Sequence, residues 1–158
     1  MKFRIDPDLY REVTKDRERE WQGALLDLNF ECDGSPPHVT VHRRADGGAG
    51  FSVEDAAGAS VLHEVSHARL RSVLRDYRDV IVQMARTAGG AFGMRDLDTL
   101  DYAKKLVHDE AGELLKKELR AHLAMDLGMA RRLFTLVFLL GTDLPEHLIK
   151  NHRRHGGA

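Results

Sequence analysis

Cysteine is nearly absent from this 158-residue chain, with Cys32 the only one. A single thiol excludes an intramolecular disulfide and every zinc site built on several cysteines. Aromatic residues are scarce at 6%, with one tryptophan, Trp21. Neither sign of charge dominates: 24 Lys and Arg stand against 25 Asp and Glu. That balance argues against a general nucleic-acid or membrane-surface binder, which needs a basic excess. Long apolar runs are missing too. The longest extends from Leu133 to Leu140, broken by Thr135 and closed by Gly141, and is too short to span a bilayer. The opening stretch MKFRIDPDLY carries charges at Lys2, Arg4 and Asp6 and lacks the apolar centre of a signal peptide. These absences predict a protein of the reducing cytoplasm with no membrane partner.

What is present suffices for one globular core: 42% of residues are hydrophobic and 31% charged. Phe3 and Ile5 alternate with charged residues, which predicts a short N-terminal strand ended by Asp6-Pro7-Asp8. From about Thr14 to Leu28, Trp21, Ala24, Leu25 and Leu28 recur at helical spacing. After the loop Cys32–Pro37, three short strands are expected over His38–His42, Gly50–Glu54 and Ser60–Val65. Asp46-Gly47-Gly48 and Asp55-Ala56-Ala57-Gly58 supply the turns between them. The period then changes. Ser66 is an N-cap candidate, and Leu70, Val73, Leu74, Tyr77, Val80, Ile81 and Met84 form the stripe of an amphipathic helix. A Gly-rich link at Gly89-Gly90 leads to a third helix, from about Asp96 to Leu119. Asp126 caps a fourth, to about Leu140, whose apolar residues surround it and make it central and buried. The predicted architecture is α+β: a small antiparallel sheet of three or four strands against about four helices, in one domain over 1–141. A short basic, His-bearing tail follows over 142–158.

Nine histidines keep a His-based metal site open. His63-Glu64-Val65-Ser66-His67 matches H-E-x-x-H. On a helix, the two His lie on one face and share Zn²⁺, while the Glu activates the metal-bound water as general base. The motif needs an uninterrupted helix. Here the residues before it alternate as a strand does, and Ser66 reads as a cap, so His63 and His67 are expected on different elements. Arg69 places a cation where such helices bury an apolar residue. No confident third ligand follows, Glu110 and Glu113 being the acidic candidates. The competing reading makes His63 a hydrogen-bonded residue at the strand–helix junction and His67 a first-turn surface residue.

A second constellation is His108-Asp109-Glu110, with Asp101, Lys104 and Lys105 within helical reach. Arg131 and Arg132 stand just before the apolar run of the fourth helix. An arginine so close to a buried segment needs a carboxylate partner, for which Glu110, Asp101 and Asp76 are candidates. Two readings stay open: an ion-pair network that fixes helix packing, or a small anion or nucleotide pocket in which Arg131 or Arg132 grips an oxyanion bidentately. The tail residues His147, Lys150, His152, Arg153, Arg154 and His155 form the one segment suited to nucleic acid or an acidic partner, against a frayed terminus. Cys32 has no adjacent cation to activate its thiol. Gly47-Gly48 and Gly89-Gly90 lack the frame of a phosphate-binding loop.

Leu74-Arg75-Asp76-Tyr77, then Asp101 with His108-Asp109-Glu110, then Asp126 with Ala130-Arg131-Arg132-Leu133-Phe134-Thr135-Leu136-Val137 occur in an order that resembles the bacterial uncharacterised protein family 0262. The resemblance runs from the N-terminal FRID strand through ARRLFTLV. It implies a small mixed α/β domain of cytoplasmic proteins, found mainly in alphaproteobacteria, with no assigned activity and no catalytic residues to transfer. The family pattern has counterparts of His63 and Ser66, with apolar residues where Glu64 and His67 stand. The resemblance therefore implies that HEVSH is fortuitous. The extension after Gly141 and the Gly-rich link depart from the family and mark a distant member.

Two functions are thus expected, with an anion- or nucleotide-binding protein acting through Arg131 or Arg132 as a third. The first is a non-enzymatic interaction or regulatory protein without cofactor, acting on a protein partner or a second copy of itself. The second is a zinc-dependent hydrolase using His63, His67 and Glu64.

Overall fold

The computed structural model describes residues 1–88, 94–145 and 147–149. Strands β1 (Lys2–Ile5), β2 (His38–Arg43), β3 (Ala49–Glu54) and β4 (Ser60–Val65) form one sheet in the order β1-β2-β3-β4. Four helices accompany them: α1 (Lys15–Asn29), α2 (His67–Ala88), α3 (Met94–Leu119) and α4 (Leu127–Gly141). A 3-10 turn, Pro7–Tyr10, begins where Asp6-Pro7 ends β1.

The three-stranded meander is antiparallel, as its turns predict. Gly47 and Gly58 take φ of 93° and 84°, a region open to glycine at little cost. Asp55 closes the second turn by accepting from the backbone N–H groups of Ala57 and Ala59. β1 departs from the antiparallel expectation. It runs parallel to β2, with Phe3 opposite Val39 and Ile5 opposite Val41, so the sheet is mixed. The physical reason is the connection. A strand returning through a helix, here α1, arrives in the same direction as the strand it left.

Helices α1, α2 and α4 bury most of the stripe their spacing marks, whereas of the expected α3 stripe Leu97, Leu100, Val107, Ala111 and Leu114 only Ala111 is fully buried. Thr14 Oγ1 caps α1 by accepting from Arg17 N, and Trp21, Ala24 and Leu28 face inward. Leu70, Val73, Tyr77, Ile81 and Met84 do so on α2. Asp126 Oδ1 caps α4 at 2.7 Å from Met129 N. From Leu133 to Leu140 every α4 residue except Thr135 is buried. α1 packs on β1 and on α4, α4 reaches β2, α3 packs on α4, and α2 packs on α3. Each buried Leu, Val or Phe contributes about 1.5–3 kcal/mol of hydrophobic stabilisation. The core continues past Gly141: Leu144 and Ile149 belong to the same apolar cluster. Gly89-Gly90 and the tail residues Lys150, His152, Arg153, Arg154 and His155 lie outside the described residues.

Candidate functional site

His108 is the residue around which α2, α3 and α4 meet. Its Nε2 lies 2.7 Å from the carbonyl oxygen of Arg131 and 2.9 Å from Thr135 Oγ1, both on α4. A carbonyl only accepts, so Nε2 carries the ring proton. Arg131 and Thr135 stand one turn apart on α4, and Thr135 Oγ1 also donates to the Arg131 carbonyl. The ring of Tyr77, from α2, packs at 5.3 Å from the His108 ring, and its hydroxyl is hydrogen-bonded to Thr135. Phe134 and Phe138 meet Tyr77 edge-on.

Burial sets the electrostatics of this cluster. Desolvation pushes His108 down to about 4, outweighing the hydrogen bond to Arg131 that favours its charged form. Burial likewise raises the Tyr77 phenol. Lys104, one turn before His108 on α3, is buried and held down to about 8, chiefly by desolvation and against the charge of Asp101. At neutral pH the centre therefore holds a neutral imidazole and a neutral phenol.

Of the six polar residues singled out from the sequence, the structure brings some together and separates others. Arg131 has a carboxylate partner, as its position requires, but that partner is Asp109: Nε to Oδ1 is 3.2 Å. The contact is an ion pair without hydrogen-bond alignment, because Nε has no hydrogen-bond acceptor. None of Asp76, Asp101 and Glu110, the expected partners, pairs with Arg131 or Arg132. Asp76 lies 3.7 Å from Arg75, Asp101 lies 3.3 Å from Lys105, and Glu110 is exposed. Arg132 forms no ion pair among the described residues. Tyr77 and Thr135 are polar members of the cluster that spacing reads only as part of an apolar stripe and as a break in an apolar run. Their signal was the hydroxyl itself, recurring inside otherwise apolar helix faces.

The H-E-x-x-H residues do not share a helix face. His63 is on β4 and His67 is the first residue of α2. His63 Nε2 sits 3.8 Å from Glu118 Oε2, and its ring lies 5.6 Å from that of His122. That Nε2 is buried without a hydrogen bond, unlike the hydrogen-bonded junction histidine expected. The backbone N of His67 donates to Asp46 Oδ2, and its ring packs over Gly47. Glu64 is ion-paired with Arg44. The three side chains of the motif therefore have three separate surroundings. Among the described residues, no three His, Cys, Asp or Glu side chains converge in a way that would hold a metal ion. Cys32 is half-buried, with its thiol directed to the Leu28 carbonyl.

The arrangement of β1-α1-β2, the meander and three packed helices covers the stretch matched by a single family model. Residues 1–142 match the uncharacterised protein family UPF0262. The chain belongs to UPF0262. Similar members include a UPF0262 protein of Methylobacterium radiotolerans, 30% identical over 145 residues, covering 88% of this chain and 90% of that protein. One from Phenylobacterium zucineum is 31% identical over 145 residues, covering 86% and 88%. Another, from Caulobacter vibrioides, is 29% identical over 142 residues, covering 86% and 88%. At these identities the chain is a distant member. No solved structure matches it. The UPF0262 model ends at residue 142, just before Leu144 and Ile149, which in this chain complete the core. Among the described residues of this UPF0262 protein, no helix is long and apolar enough to cross a membrane.

Proposed function

We propose that this UPF0262 protein is a non-enzymatic interaction protein that assembles with a second copy of itself through the open edge of its sheet. One observation carries the reading. The two edges of the sheet are treated differently. At β1, the Asn29 side chain of α1 accepts from Phe3 N at 2.8 Å and donates to Phe3 O at 2.9 Å, acting as a one-residue substitute strand. At β4 no further strand pairs among the described residues, and the edge carries two exposed apolar side chains, Val61 at 47% and Leu62 at 55%. An open, apolar edge strand is a template for another strand, and natural proteins normally blunt it.

A second β4 fits that edge. In an antiparallel two-fold pairing about Leu62, Leu62 meets its own copy, Val61 meets His63, and Ser60 meets Glu64. Apolar side chains then cover each other and no like charges stand opposite. The His108 centre is consistent with a non-catalytic role, since its Nε2 proton is committed to α4 rather than to a cleft.

Sedimentation of the wild type and of Leu62→Lys tests the assignment. A wild-type dimer and a folded, monomeric variant are expected. A wild type that stays monomeric throughout the accessible concentration range overturns it. The zinc-hydrolase reading is separated in the same preparations by metal content: stoichiometric zinc in untagged protein, lost in His67→Ala, would restore it.

A further inference from the structure

We propose that the cleft between the start of α1, the end of β2 and the C-terminal end of α4 binds a small organic anion. Arg17 and Arg43 hold its oxyanion head, and an apolar wall takes its body. The open cleft has a volume of about 520 Å³, within the range of small-molecule sites. Its wall is apolar: Leu9, Val13, Trp21 and Leu140 line it.

Its charge is unbalanced. Arg11, Arg17 and Arg43 line the cleft together with Asp8 and Glu12. Asp8 is engaged by Arg11 at 3.1 Å. Neither Arg17 nor Arg43 forms an ion pair among the described residues, Glu12 included. Two guanidiniums without carboxylates beside one apolar wall are the elements of bidentate oxyanion recognition.

Arg17 is anchored beside the cleft. Its Nη2 donates to the Leu144 carbonyl, which fixes the guanidinium in place. Its Nη1 is closed to solvent and has no hydrogen-bond partner among the described residues. The alternative is that both arginines serve only the carbonyl end of α4: Arg43 lies over Gly141, its Nε 3.7 Å from where a Cβ would stand. That role accounts for Nη2 and leaves both guanidiniums without a carboxylate among the described residues. An oxyanion in the cleft neutralises both charges.

The chain carries its own reporter, because the one tryptophan is Trp21 in the cleft wall. The test titrates the full chain with phenyl phosphate, phenylacetate, inorganic phosphate and sodium chloride, reading Trp21 emission and calorimetric heat. Saturable binding of phenyl phosphate or phenylacetate, tighter than inorganic phosphate and absent with chloride, is expected; whichever aryl anion binds tighter identifies the head group. Arg43→Gln, an exposed position that leaves folding intact, should weaken that binding about tenfold or more, as loss of a charge-assisted pair does. Arg120→Gln, an arginine outside the cleft, should leave it unchanged. No saturable response, an equal response to chloride, or equal loss in Arg120→Gln overturns the assignment.

Discussion

His108 illustrates how one side chain couples packing to pH. Its folded-state value of about 4 lies below the ordinary 6.5, so the unfolded chain binds a proton that the folded chain refuses. Stability is therefore fully present above pH 6.5 and falls as the pH drops toward 4. The expected loss is up to about 3 kcal/mol across that window. In His108→Gln the group that titrates is gone. Urea unfolding between pH 7 and pH 4 should show the wild type losing more stability than the variant. Parallel curves for the two proteins would refute the assignment. The same logic explains why Arg131 takes Asp109. A guanidinium at the edge of a buried helix settles on the carboxylate that packing brings beside it, and sequence spacing alone offered several.

At the scale of elements, the edge strand β1 shows how a helix replaces a missing neighbour. Asn29, the last residue of α1, satisfies both backbone groups of Phe3. Asn29→Ala leaves that donor and that acceptor without partners in a part-buried setting. A loss of about 1–3 kcal/mol is expected in chemical denaturation, with the helix content of the folded state unchanged. A variant as stable as the wild type would show that water replaces the amide freely. The β4–α2 junction shows the reverse effect, where an element boundary dissolves a motif. HEVSH has the letters of a helical metal site, yet the chain leaves the strand at Val65 and enters the helix at His67. His63 then turns toward Glu118 and His122, and Glu64 toward Arg44.

At the scale of the molecule, one apolar cluster joins the sheet, α1, α4 and the residues beyond α4. Ile149 is fully buried although it follows the last long helix. Ile149→Ala should cost about 2–5 kcal/mol, the range for emptying a core site, read as a lower urea midpoint with an unchanged slope. A neutral outcome would mean that residues past 141 ride on the surface. The open β4 edge and the arginine-lined cleft are also properties of the whole. The first exists because order β1-β2-β3-β4 leaves β4 last, and the second because the start of α1 meets the ends of β2 and α4.

Much of this was legible in the chain itself. The alternation in β2 to β4, the Gly-bearing turns, the cap Asp126 and the apolar surround of α4 are local patterns. Steric and hydrogen-bonding preferences within a few residues dictate them, so they survive without knowledge of the fold. The single cysteine likewise excludes an intramolecular disulfide and multi-cysteine zinc sites by count alone. Tertiary structure decided the rest. It made β1 parallel, chose Asp109 for Arg131, drew Tyr77 and Thr135 to His108, and set His63 apart from His67. Each of these is a meeting of residues from different elements. Such meetings depend on how whole faces pack, and local spacing carries no information about which face arrives.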